Sequence, residues 1–217
     1  MKKRGLVVSG GYIDDVFAGN YINNRKYEIR IACDRGMEFY KRAGLQPDLI
    51  LGDFDSADPK VLQYFQAMEE ISCRQFPPEK DWTDTELAVM HAIELGATEI
   101  DLFGATGSRL DHVLGNLSIL GLGLQAGVEI CMIDAHNRIR LIDREHRIKK
   151  DEQFGSFVSL IPYMGAVAGV TLRGFQYPLE HAAMDGFHSL GISNEIVEDE
   201  AMITLEQGLL LVIESKD

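Results

Sequence analysis

The sequence predicts an N-terminal α/β domain built on a mostly parallel sheet, followed by an all-β C-terminal domain. Two observations carry that reading. Up to about residue 127, short apolar runs alternate with helical patterns, the order of a parallel sheet covered on both faces. Beyond it, short strand-like runs are separated by turn residues and no long helical period is visible, which fits a sandwich or barrel. The expected domains are residues 1–127 and 128–217, although the run 128–133 suits either half. With 217 residues, 46% apolar and 25% charged, the chain can bury a sizeable core as one domain or two small ones.

In chain order, residues 5–8 read as a buried strand ending at Ser9-Gly10-Gly11. That turn can face a phosphate, but it lacks a full GxGxxG. A second strand over 27–33 ends at Asp34-Arg35-Gly36, and a short helix over 37–43 is closed by Gly44. Leu49–Leu51 is the central strand. After Asp58-Pro59, where proline suits a helix's first turn, a helix covers 60–68. The strand 71–76 is stopped by Pro77-Pro78. Thr83 and Glu86 then have capping-box spacing at the head of a helix that ends near Leu95 and Gly96. Strand 99–103 leads into Gly104-Ala105-Thr106-Gly107-Ser108-Arg109. A helix starts near Leu110, with Ser108 and Asp111 again at capping-box spacing and Val113, Leu114, Leu117, Leu120 and Leu124 as its apolar face. The later strands are expected over 128–133, 138–142, 156–161, 166–172, 202–205 and 209–213.

The chemistry concentrates on the turn after the central strand, Gly52-Asp53-Phe54-Asp55-Ser56. If extended geometry persists there, Asp53 and Asp55 point the same way, and two anions side by side call for a cation between them. Mg²⁺ takes oxygen ligands and commonly bridges to substrate phosphates. A strand-ending turn rich in Asp and Ser is the plainer alternative. Asp81, Asp84 and Asp111 extend the acidic set. Asp84 and Asp111 each also suit a helix start, where the dipole favours a carboxylate. What groups them is position: every acidic loop follows a predicted strand, and open α/β sheets bind ligands at that edge. Lys80 and Arg109 stand beside these acids and can neutralise phosphate charge or simply form local salt bridges. Loop 104–109 suits an anion but is not a Walker A motif.

Composition narrows the partners. A net charge of −13 and a pI near 4.9 argue against nucleic acid or an anionic membrane surface. Three widely spaced cysteines, Cys33, Cys73 and Cys131, point to buried reduced thiols rather than disulfides or zinc. The six histidines form no HExxH, and no GxSxG elbow is present. The apolar run after the basic N-terminus is too short for a signal peptide, and none is long enough to span a membrane. A reduced, cytoplasmic protein is expected. In the β half, Gly191-Ile192-Ser193-Asn194-Glu195 reads as a polar turn.

Taken together, these stretches resemble the bacterial form of the thiamine pyrophosphokinase family. The likeness is ordered along nearly the whole chain. It takes in Ala32-Cys33-Asp34-Arg35-Gly36, Pro47 to Ser56, and Lys80-Asp81-Trp82-Thr83-Asp84. It continues through Gly104 to Asn116 with Arg109-Leu110-Asp111-His112, then Val170 to Leu179, and ends with Gly191-Ile192-Ser193-Asn194. The resemblance implies a catalytic α/β domain, a C-terminal β-sandwich that binds thiamine and dimerises, and a homodimer with interfacial active sites. It implies transfer of the pyrophosphoryl group of ATP to the hydroxyl of thiamine. Asp53, Asp55 and Asp84 match the family's Mg²⁺-binding carboxylates. Asp34, Lys80, Asp81, Arg109 and Asp111 match positions lining its nucleotide and reaction site, and Thr83 joins the ATP-binding set. Ser193 and Asn194 match its thiamine contacts. Two positions depart from the family's pattern: Arg35 and Ser108 stand where glycine is common. Arg35 either crowds the phosphates or adds a contact to them. The rival readings are a Mg²⁺-dependent phosphatase with Asp53 as nucleophile, a transferase for another alcohol, and a non-catalytic nucleotide or thiamine sensor.

Overall fold

The computed structural model describes residues 2–77, 79 and 81–217. The chain forms two compact units, Met1–Ala135 and His136–Asp217. In the first, β1 (Arg4–Val8), β2 (Ile29–Cys33), β3 (Leu49–Gly52), β4 (Ser72–Gln75), β5 (Glu99–Phe103) and β6 (Glu129–Ile133) pair in the order β4-β3-β2-β1-β5-β6. Every one of these pairings is parallel. The inner strands are continuous apolar runs because helices cover both faces: Leu6, Val7, Val8, Ile31 and Leu102 are inaccessible to solvent. The chain winds from β1 to β4 in one direction and then restarts at β5 on the other side. The crevice between β1 and β5 is therefore the topological switch point, where such sheets bind ligands.

The helices are α1 (Asp15–Asn23), α2 (Gly36–Arg42), α3 (Pro59–Gln66), α4 (Asp84–Glu94) and α5 (Leu110–Ala126). The sequence reading has no counterpart of α1. Its Asp14 cap accepts a hydrogen bond from the Phe17 N–H at 2.8 Å, but only Ala18 and Ile22 are buried, so the apolar period is faint. Helix α5 is rotated from its expected setting. It buries Asn116, Ile119, Leu120 and Gly123, while Leu114 is 64% exposed. The reason lies at Gly123, where a Cβ would stand 2.5 Å from the Val128 carbonyl oxygen. The helix turns its small residue toward the strand that follows.

β6 settles where the 128–133 run belongs, since it pairs in parallel with β5. The first unit accordingly reaches Ala135, where the sequence reading divides the chain after residue 127. Cys33 and Cys131 are buried as expected, but Cys73 is exposed, because β4 is an edge strand whose four residues all face solvent.

The second unit contains β7 (Asn137–Ile142), β8 (His146–Lys149), β9 (Phe157–Arg173), β10 (Leu179–Met184), β11 (Glu200–Thr204) and β12 (Gln207–Ser215), all paired antiparallel. The two strands expected over 156–161 and 166–172 are one 17-residue strand, β9. Its first half pairs with β12 and its second half with β10 and β11, so one strand serves both sheets of a β-sandwich. Val158, Leu160, Val170, Leu172, Ile203, Leu210 and Val212 form the core between them. β8 and β10 have no counterpart in the sequence reading, their sequences His-Arg-Ile-Lys and Leu-Glu-His-Ala-Ala-Met being too polar to read as apolar strands. Glu214 is fully buried in β12. Arg138 binds it with Nε and Nη2 at 2.7 and 2.6 Å, and Arg140 adds a third hydrogen bond at 2.9 Å.

Candidate active site

The ends of β1, β2, β3 and β5 and the head of α4 border one cleft of about 1050 Å³, within the first unit. Its floor is the switch point. Past the last paired residues, Val8 and Phe103, the backbones stay zipped together. Ser9 N–H donates to the Phe103 carbonyl, Gly11 N–H to Gly104 and Tyr12 N–H to Thr106, each at 2.8 Å. Two buried side chains brace this wall. Ser9 Oγ lies 2.6 Å from Thr85 Oγ1, and Asn116 Nδ2 donates to the Ala105 carbonyl at 2.8 Å. Asn116 and Ser9 are absent from the expected site residues. An asparagine on the buried side of an otherwise apolar helix is the signal that marks the first.

Three carboxylates converge in the cleft. Asp34, Asp53 and Asp84 can each place one oxygen so that all three lie within 4.8 Å of one another. Asp34 leaves β2 with φ of 44°, and its Oδ1 accepts a hydrogen bond from the Phe54 N–H at 3.3 Å. Gly52 makes room for it: φ is 150°, and a Cβ there would stand 1.9 Å from Asp34 Oδ1. Asp84 is the first residue of α4, behind Thr83, whose hydroxyl accepts from the Glu86 N–H at 3.2 Å. Burial raises the Asp34 pKa, and the charge of Asp84 and its hydrogen bond raise it further, to about 7 against the pull of the Phe54 N–H. Close-set oxygen anions under that electrostatic load fit a hard divalent cation such as Mg²⁺.

Asp55 stands apart from this cluster. The extended alternation that would align it with Asp53 is broken at Phe54, which takes φ of 62°, and Asp55 is exposed with its N–H donating to Asp53 Oδ1 at 3.1 Å. The other expected residues are distributed unevenly. Thr83 and Arg109 line the cleft, whereas Asp81 is exposed and outside its lining. Lys80 lies outside the described residues. Arg109 pairs with Asp111 through Nε and Nη2 at 3.2 and 2.5 Å. That guanidinium, with help from the His112 N–H, holds the Asp111 carboxyl down at about 2. The pair also corrects the expected capping box: Arg109 occupies the cap position of α5, with no side-chain cap from Ser108.

Ser193 and Asn194 belong to the second unit. Ser193 is exposed with φ of 54°, and its N–H donates to Ser159 Oγ at 3.0 Å. Asn194 is buried and bridges to Val158 through its backbone. Its side chain accepts from the Tyr177 and Glu195 N–H groups and donates to the Tyr177 carbonyl, fixing the loop it sits in.

Comparison with known proteins covers both units. A family model described as the catalytic domain of thiamin pyrophosphokinase matches residues 20–132, and one for its vitamin B1 binding domain matches residues 145–210. The chain belongs to the thiamine pyrophosphokinase family. It is 33% identical over 193 residues to the thiamine pyrophosphokinase of Bacillus subtilis, a match spanning 88% of this chain and 89% of that protein. The crystal structure of a thiamine pyrophosphokinase from Bacillus subtilis superposes with a TM-score of 0.88 at 32% identity, covering 99% of this chain and all of the other. The family's structure from Geobacillus thermodenitrificans superposes at 0.84, also with 32% identity, over 99% and 98% of the two chains. A thiamine pyrophosphokinase fold thus accounts for both the parallel sheet with its cleft and the antiparallel sandwich.

Proposed function

We infer that this protein is an ATP-dependent thiamine pyrophosphokinase, forming thiamine diphosphate and AMP. The observation that carries the reading is the acidic cleft at the switch point, in a chain that both domain descriptions of the family match. Asp53 and Asp84 would hold Mg²⁺ with Asp34 on the neighbouring strand end, and Asp55, outside their cluster in this structure, would join them from the same turn as Asp53. Bound there, Mg²⁺ would neutralise phosphate charge and let a polyanion enter a protein of net charge −13. The Ser9–Gly11 turn and loop 104–109 line the cleft that would take the phosphates. Arg109 and Lys80 stabilise charge that develops on them, and Thr83 contacts the nucleotide.

The thiamine hydroxyl oxygen attacks the β-phosphorus. Its bond to phosphorus forms as the bond from that phosphorus to the α,β-bridging oxygen breaks; the bridging oxygen leaves with AMP and the hydroxyl proton is released to water. The chain's task is positioning and charge neutralisation. Asp111, which accepts from Arg109 Nε and Nη2, orients that guanidinium. Asp81 is assigned to the reaction site on the family resemblance. The second unit, His136–Asp217, carries the thiamine contacts, Ser193 and Asn194, and the dimer contact of a homodimer with interfacial active sites. Three unbridged thiols and the use of ATP suit a cytoplasmic setting. Among the described residues, no helix is long and apolar enough to cross a membrane.

The test is a steady-state assay with ATP and Mg²⁺, with and without thiamine. AMP formation that requires thiamine supports the reading. Phosphate release that ignores thiamine would replace it with a phosphatase.

A further inference from the structure

Three arginines line the cleft among its described residues: Arg35, Arg42 and Arg109. Two are already engaged. Arg42 grips Asp15 through Nε and Nη2 at 2.8 and 2.9 Å, and Arg109 grips Asp111 in the same two-pronged way. Arg35 has a looser contact, its Nε 3.6 Å from Glu38 Oε1, and its side chain is 55% exposed. A contact of that length and exposure stabilises little, so the guanidinium can be drawn away at small cost.

Its location is informative. Arg35 directly follows Asp34, one of the three clustered carboxylates. Its Cβ lies 3.3 Å from where a Cβ on Gly10 would be, so its stem starts against the Ser9-Gly10-Gly11 turn. The Arg35 side chain therefore springs from between the acidic cluster and the Ser9-Gly10-Gly11 turn, both of which line the cleft. A chain of phosphates with part of its charge met by a cation at the cluster would pass beside that position. Five fixed donors in a planar fork match phosphate oxygens two at a time.

We propose that Arg35 is a further substrate-binding residue, holding the two phosphates of ATP that are transferred together. The proposal rests on the pyrophosphokinase reading above. Because Arg35 is exposed and outside the core, replacing it leaves the fold intact, which thermal unfolding checks. Binding is read by calorimetry with Mg²⁺ present, using α,β-methylene ATP, which cannot transfer its terminal phosphates, and AMP, which lacks them. In Arg35→Ala the analogue binds about tenfold more weakly while AMP binding changes less than about twofold, and Arg35→Lys falls between. The KM for thiamine stays where it was. Unchanged or tighter analogue binding would overturn the proposal in favour of a solvated or crowding side chain. Equal losses for the analogue and AMP would also overturn it, by placing Arg35 at the nucleoside end. Binding is measured without turnover, so failure of the parent reading shows separately, as a wild-type protein that makes no thiamine-dependent AMP.

Discussion

At Gly52 the lack of a side chain keeps Asp34 within reach of Asp53 and Asp84. Gly52→Ala puts a methyl group 1.9 Å from Asp34 Oδ1 at a φ that L-residues rarely adopt. It is expected to cost about 1–3 kcal/mol of stability and most of the activity, measured by urea unfolding and AMP release. The carboxylates themselves separate stability from function. Asp34→Asn removes a group that burial and Asp84 already push toward its neutral form. In EDTA at pH 8 the variant should be more stable than the parent by on the order of 1 kcal/mol, while turnover with Mg²⁺ falls about a hundredfold or more. Lower stability in EDTA would mean the three carboxylates are not in conflict. Asp55→Asn is expected to abolish turnover and leave the fold unchanged. Near-normal turnover would assign the metal to Asp34, Asp53 and Asp84 alone. Asp53 and Asp84 were legible in the sequence because both follow strand-and-turn signals at the same sheet edge. The entry of Asp34 into their cluster was not, because it depends on a left-handed backbone at Asp34 itself and on the room left by Gly52, which no sequence pattern announces.

The elements show the same division. The alternation of apolar runs and helical patterns made β1, β2, β3 and β5 legible, since buried parallel strands must be apolar on both faces. Thr83 was legible as a cap, and its hydroxyl accepts from Glu86 as expected. Thr83→Ala should therefore cost about 1 kcal/mol in stability, read as a lowered urea midpoint, with a larger loss in activity because α4 carries Asp84. Equal losses in the two would limit Thr83 to a structural role. Helix α1 and the setting of α5 were not legible for opposite reasons. α1 buries too few residues to leave a period. α5 is apolar around most of its surface, so close packing at Gly123, not periodicity, chooses the buried face. The two strands expected within β9 are one because Met164 and Gly165 bend the chain without ending it. Their φ angles of 60° and 148° carry the strand from one sheet to the other.

For the whole molecule, an acidic balance has to coexist with a polyanionic substrate and with a carboxylate inside the sandwich. Burial alone would raise the pKa of Glu214, but Arg138, the Phe154 N–H and Arg140 together hold it below its ordinary value of 4.5. A depressed folded-state value means this stabilisation is fully present above about pH 4.5 and is lost as pH falls through the folded value. Urea unfolding between pH 7 and pH 3 should show that loss in the parent but not in Glu214→Gln, which starts about 3–5 kcal/mol lower because two partly buried guanidinium groups lose the buried carboxylate they share. Identical pH profiles would remove Glu214 from the account. The reaction turns on which bond of ATP breaks. ATP labelled at the β-phosphorus, incubated with Mg²⁺, thiamine and the protein, should deliver the label to thiamine diphosphate with one AMP released for each. Label recovered in ADP or in inorganic phosphate, independent of thiamine, would contradict it.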